Sequence, residues 1–197
     1  MTQLPDEIRL YFFKAIKGDI ILDDFEKRIY NDNGIEAILG PDDYLDLISI
    51  NYKSNGAKYE LYNLLIKHID LGEYETYKLL ELLEETKKKN EKLPYYLMNF
   101  YDLYCRGYGF LQGLGIGYGL SIEEPIINDE NAHLWSESMR KKQDDLLASF
   151  SPGLEIEIQR IENWLRSEKI ALTGEQDELG HYGWIDNRSE YEKQSVS

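Results

Sequence analysis

Apolar residues recur along this chain mostly at three- and four-residue spacing, the period of helices. Ile8, Tyr11, Phe12 and Ala15 form the first stripe; Pro5 opens it, Asp6 and Glu7 lie in its first turn and Gly18 ends it. That order suits the dipole and the terminal geometry of a helix. Asp23 or Asp24 starts a short second helix, with Phe25, Ile29 and Tyr30 inward. N-D-N-G at 31–34 is turn chemistry, and a short piece from Ile35 stops at Gly40-Pro41. Pro41-Asp42-Asp43 is a further helix start, with Tyr44, Leu47 and Ile48 as its apolar row. After a turn at 54–56, Tyr59, Tyr62, Leu65, Ile66 and Ile69 predict a longer helix capped by Gly72. Thr76, Leu79, Leu80 and Leu83 give the buried side of the next helix, and Lys87–Lys89 close it.

The densest apolar stretch runs from Leu93 to Ile122. Leu97, Phe100, Tyr101 and Tyr104 sit at i, i+3, i+4 and i+7, and Tyr108 and Leu111 extend the row. Met98, Leu103, Cys105 and Phe110 fill the other faces, which predicts a helix buried all round. Asp102 and Arg106, four apart, are placed to pair. They share a stripe with Gly109 and Gly113, where another backbone is expected to come close. From Gly113 the period changes to two: Leu114, Ile116, Tyr118, Leu120 and Ile122 alternate with Gly115, Gly117, Gly119 and Ser121. This predicts a short extended segment with a glycine face against a neighbour.

Beyond Ile122 the residues from 123 to 131, with Pro125, read as a polar loop. A helix over 132–150 follows, with Leu134, Trp135, Met139, Leu146 and Leu147; Ser151-Pro152-Gly153 breaks it. Leu154 to Lys169 is helical again, with Ile158, Ile161 and Leu165 as its stripe and Trp164 beside it. Short turns between successive helices imply antiparallel neighbours. The predicted fold is all-α: an antiparallel bundle or array around a buried Tyr/Gly-rich central helix, with one short extended segment after it. A single helical domain is expected over 1–172. A polar tail is expected over 173–197, its last eight or so residues mobile.

Composition sharpens this picture in two ways. The net charge is −15, with 37 acids against 22 bases, a field that repels nucleic acid and anionic membranes and attracts basic partners. The 16 Tyr, 6 Phe and 3 Trp supply large faces with polar tips, suited to core edges and interfaces. One cysteine excludes an internal disulfide framework and fits a reducing compartment. No basic region followed by an apolar run opens the chain, so the expected location is cytoplasmic.

Catalytic signals are weak. Gly107, Gly109 and Gly113 read G-x-G-x-x-x-G, one residue off the dinucleotide fingerprint and with no strand before them. The uncharged run at 107–122 is short of a membrane span and rich in glycine. Cys105 sits among apolar residues, where a thiol is expected to be buried and inert. His68, His133 and His181 are far apart and share no ligand spacing. Carboxylates cluster at Asp19, Asp23, Asp24 and Glu26 and again at Asp42, Asp43 and Asp46. No D-x-[DN]-x-[DN]-G loop joins them, and helix starts favour acids in any case. No metal or cofactor is expected.

Two segments, YFFKAIKGDI with DFEKRIY (within 11–30) and FYDLYCRGYGFLQGLGIGYGL (100–120), resemble those of small, acidic, helical bacterial proteins. Some proteins of that kind act as immunity partners of secreted toxins. The resemblance covers residues 1–125 and carries no motif of known function. It implies a non-enzymatic inhibitor that masks a basic protein. The residues expected to serve are Asp23, Asp24, Asp42, Asp43 and Asp46 for charge, with Tyr44 and Trp184 as anchors. A carboxylate-based or metal-dependent enzyme, and a structural or regulatory module of a larger assembly, are the alternatives.

Overall fold

The structure, a computed structural model, describes residues 4–122 and 137–194. The expected loop at 123–131, the residues His133, Leu134 and Trp135, the side chain of Met139, and residues 195–197 lie outside the described residues. The fold is mostly helical, with one small antiparallel pair of strands. The chain divides into two compact units, Met1–Tyr74 and Glu75–Ser197. That division differs from the single domain over 1–172 read from the sequence, and each unit is described by itself.

The first unit holds α1 (Asp6–Lys17), α2 (Leu22–Asn31), α3 (Asn33–Leu39), α4 (Pro41–Ser49), α5 (Ala57–Leu65) and the first turn of α6 (Leu71–Lys87). Helix ends follow local chemistry. Gly18 closes α1 in the left-handed conformation, at φ 90°, which a side chain rarely adopts. Asp32 ends α2 and starts α3, accepting from the Gly34 N–H at 3.0 Å, so the expected turn at 31–34 is a joint between two helices. Phe12, Phe25, Ile29 and Ile35 are fully buried. Phe25 is the hub, stacked on Tyr11 at 5.4 Å between centroids and close to Phe12 (6.4 Å) and Tyr52 (6.1 Å). The Arg28 guanidinium also lies over the Tyr11 ring, 4.0 Å from its centroid. The row expected after Gly56 is corrected. α5 buries Ala57, Leu61 and Leu65, and leaves Tyr59 and Tyr62 exposed. The helix stops at Leu65 rather than running to Ile69, so the four-residue row from Ala57 faces inward instead.

The second unit holds the rest of α6, α7 (Leu93–Cys105), α8 (Gln112–Gly115), α9 (Glu137–Ser149), α10 (Gly153–Arg166), the strands β1 (Ile170–Gln176) and β2 (Tyr182–Asp186), and α11 (Glu190–Gln194). Its core joins Leu79 and Leu83 of α6 to Leu97 and Phe100 of α7, Tyr108, Leu111 and Leu114 after it, and Ile158, Ile161 and Leu165 of α10. α7 is not buried all round. Leu93, Pro94, Leu97 and Phe100 face inward, Tyr95 is half exposed, and Cys105 is exposed rather than enclosed. α7 ends before Arg106, so in place of the expected ion pair the Arg106 N–H donates to the Asp102 carbonyl at 2.9 Å.

The extended segment expected over 114–122 is also corrected. The chain there forms α8 flanked by two 3-10 turns, Gly109–Leu111 and Gly119–Ser121. The glycines do seat against a neighbour, but at a spacing of four. A Cβ on Gly115 would lie 2.9 Å from Tyr104 Cβ, and one on Gly119 would lie 2.4 Å from the Leu97 carbonyl oxygen. Alternation hid a helical face, because every second residue is glycine and so is every fourth.

The expected polar tail is folded as far as residue 194. β1 pairs with β2 in the register Ile170 to Asp186 and Leu172 to Trp184, with a bulge before Gln176. Asp177 builds the turn. Its carboxylate accepts the N–H groups of Leu179 and His181, both at 2.8 Å, and these bonds, the His181 N–H foremost, hold its pKa below the ordinary range. β2 is fastened to the residues after α7: the Tyr182 N–H donates to the Arg106 carbonyl at 2.7 Å. α11 is tied back by the Lys169–Glu192 ion pair.

Candidate functional site

The acids singled out by the sequence sit on the starts of two helices of the first unit. Asp23 and Asp24 lie in the first turn of α2, and Asp42 and Asp43 in that of α4. α4 packs near the other end of α2. The Tyr44 hydroxyl donates to the Ile29 carbonyl at 3.3 Å and the Tyr30 hydroxyl to the Ile48 carbonyl at 2.8 Å. Asp23 is six residues before Ile29, about 9 Å along the axis, so the two acidic clusters stay on separate helix starts.

Their side chains differ in freedom. Asp24 pairs with Lys27 at 3.3 Å, and Asp43 with the His68 ring at 3.2 Å. Asp23, Asp42 and Asp46 are exposed and have no cation within ion-pair range among the described residues. Tyr44 is half-buried and tied to α2, so it braces α4 rather than standing out as an anchor. Asp42, Leu45, Asp46 and Ser49 fall at i, i+3, i+4 and i+7 and are all exposed. Together they form one face of α4, with Leu45 59% exposed at its centre.

Sequence reasoning missed Leu45, together with the exposed Glu36 on α3 and Glu60 on α5, which have no ion-pair partner among the described residues. The signal was present. Leu45 lies outside the Tyr44–Leu47–Ile48 row and therefore on the wet side of α4.

Trp184 belongs to the second unit and serves its interior. The indole N–H donates to the Gly107 carbonyl at 2.9 Å, and its ring stands edge-on to Phe110 at 5.1 Å. Gly107 has φ 111°, and a Cβ there would lie 3.2 Å from the Tyr182 backbone, so the hairpin fits against a residue without a side chain. The role expected of Trp184 as an exposed anchor is therefore taken up by packing.

Titratable chemistry elsewhere in the second unit is structural in form. The Glu162 carboxylate is 2% exposed and receives the Lys87 ammonium at 2.6 Å. Burial pushes the Lys87 pKa down, but the Glu162 and Glu84 carboxylates outweigh it and leave the ammonium above its ordinary value. Burial raises Tyr108 well above the ordinary phenol range. Among the described residues no group of three His, Cys, Asp or Glu is placed to hold a metal ion, and no helix is long and apolar enough to cross a membrane. A cavity of about 520 Å³ opens where α7 begins, facing α9; nothing in the sequence pointed to it. Comparison with protein-family models, with curated proteins and with solved structures finds no match to this chain.

Proposed function

We propose that this chain is a non-enzymatic acidic interaction protein whose first unit masks a basic partner through the exposed face of α4. The observation that supports this reading is the set Asp42, Leu45 and Asp46: two uncompensated carboxylates astride an exposed leucine on one helix face. Such a face gives an approaching cationic surface both long-range steering and an apolar contact to exclude water. Asp23 on α2, Glu36 on α3 and Glu60 on α5 add to the field of the same unit, in which 14 acids stand against 8 bases over residues 1–74. Some of the small, acidic, helical bacterial proteins that the chain resembles act as immunity partners, and an inhibitor of a basic toxin is the form of this reading that we favour. In the second unit we read the helices as an array around the Tyr/Gly-rich segment that follows α7.

The test uses a lysine-rich amphipathic peptide as a cationic probe, followed by amide chemical shifts of the full chain. Shifts should concentrate on residues 42–49. Affinity should fall several-fold as ionic strength rises from about 0.05 to about 0.2 M, where screening shortens to roughly 7 Å. The variant carrying Asp42→Asn and Asp46→Asn should bind about 5-fold more weakly, with a smaller dependence on salt. Shifts spread evenly over every acidic segment, or an affinity indifferent to salt, would refute the reading.

A further inference from the structure

Independently of the acidic face, we propose that the second unit carries a small-molecule site in the cavity between the start of α7 and α9. Its ligand would have an apolar body and an uncharged hydrogen-bond acceptor, such as a ketone or a carboxamide.

The cavity's volume of about 520 Å³ falls within the roughly 300–1,000 Å³ range of small-molecule sites. Leu93 and Pro94 of α7 and Leu147 and Ala148 of α9 give it apolar walls. One buried side chain supplies a donor that lacks an acceptor. Gln143 lines the cavity and is 4% exposed, yet its side-chain nitrogen has no hydrogen-bond partner among the described residues. Buried amide hydrogens are seldom left that way in a folded protein. The start of α7 adds no spare donor. Asn90 accepts the Lys92 N–H on its side-chain oxygen and the Leu93 N–H on its carbonyl, both at 2.9 Å, and Pro94 has no N–H to give.

The Gln143 amide calls for an oxygen acceptor, and the rim decides its charge. Glu91 and Asp144 line the cavity and are exposed. The cation on the lining, Lys89, is engaged: its ammonium contacts the Ser151 hydroxyl at 2.5 Å and pairs with the Glu155 carboxylate. Ser151 in turn donates to Glu155 at 2.9 Å. The triad is a tether between the end of α6 and the start of α10. Among the residues that line the cavity it leaves no free positive charge to offset the two rim carboxylates, so a carboxylate or phosphate ligand meets repulsion at the walls. A neutral acceptor meets none.

Three probes that share one ring separate the possibilities: cyclohexanecarboxamide, cyclohexanecarboxylate and cyclohexylammonium, titrated into the full chain and followed by amide and side-chain amide resonances. The carboxamide should shift Leu93, Tyr95 and Leu147 and the Gln143 side-chain amide, and bind at least about 5-fold more tightly than either charged probe. Gln143→Leu should weaken the carboxamide about 10-fold while the β1–β2 resonances stay in place. Leu147→Trp, which fills the cavity from its wall, should abolish binding without touching the donor. Equal binding of the three probes, preference for a charged one, undiminished binding to Gln143→Leu, or no shifts at these residues would overturn the proposal.

Discussion

The two units of this chain are both largely helical and both pack rings into their interiors, yet the second also relies on close approach at glycines. In the first, large rings fill the space between short helices: Phe25 meets Tyr11, Phe12 and Tyr52, and Phe13 meets Tyr74 at 5.4 Å. In the second, missing side chains let backbones approach. Gly115 and Gly119 lie on α7, and Gly113 lies under the buried Glu157 of α10, where a Cβ would come within 2.2 Å of the carboxylate. The contrast teaches that a helical core has two failure modes. A ring-filled core is sensitive to removing atoms, because the void left behind collapses incompletely. A core built on backbone approach is sensitive to adding them, because main chain cannot swing aside as a flexible side chain does.

The largest effect should come from emptying the first unit. Phe25 is fully buried and takes part in three of its ring contacts. Phe25→Ala should cost about 3–5 kcal/mol, the range for truncating a buried phenylalanine. Denaturant unfolding measures the loss, and hydrogen exchange locates it: amides of α1, α2 and α4 should lose protection first. A cost under about 1 kcal/mol would mean that the ring cluster is not what holds this unit together.

The second unit should respond to one added methyl group. In Gly119→Ala the new Cβ meets the Leu97 carbonyl oxygen at 2.4 Å, a backbone atom within α7. The expected cost is about 1–3 kcal/mol, as for other overpacked sites. Gly109→Ala is the matched control, since its Cβ would meet the Trp184 ring at an ordinary 3.6 Å. That variant should be close to neutral, helped by a stiffer unfolded chain. If both alanines cost the same, close approach is not the reason for glycine at 119.

A smaller effect tests how the hairpin is held. Trp184→Phe keeps a ring against Phe110 but removes the indole donor to the Gly107 carbonyl. The loss should be about 0.5–1.5 kcal/mol, typical of one hydrogen bond. It should appear as faster exchange of the β1–β2 amides, with α1–α5 unchanged.

Local signals account for what was legible. Proline, acids and glycine at helix ends mark α1 and the start of α4, because those preferences act within one turn of the chain. At Gly113 the close neighbour is the Glu157 side chain rather than the expected backbone. What stayed hidden depends on partners remote in sequence. Trp184 reads as an anchor from sequence, since the carbonyls that receive the Trp184 indole and Tyr182 backbone N–H groups belong to Gly107 and Arg106. Cys105 looked enclosed because its neighbours are apolar, but α7 turns that side outward. Tyr44 was taken for an anchor when Leu45, one residue on, was the exposed one. Nothing local marks Gln143, whose isolation follows only from what the fold brings near it.

The smallest expected effect concerns pH and separates the units by their acids. Where Asp42 and Asp46 stand without cations, Glu192 in the second unit is fully engaged. Its carboxylate receives the Lys169 ammonium and the Ser189 hydroxyl and N–H, the latter two at 2.8 and 3.0 Å. These bonds, the Lys169 one foremost, lower its pKa from 4.5 to about 2. A carboxylate whose folded pKa is depressed favours the folded form above its unfolded pKa, and that contribution fades as pH falls through the folded value. Docking of α11 should therefore be intact above pH 4.5 and weaken progressively toward pH 2. The exposed setting keeps the effect small and open to screening by salt. The Glu192 side-chain carbon shift, followed through an acid titration, should show its midpoint near the lower value. Glu192→Gln should remove the pH dependence from the α11 amides and leave those of α4 as they were. A midpoint near the ordinary value would show that α11 is not fastened by this carboxylate.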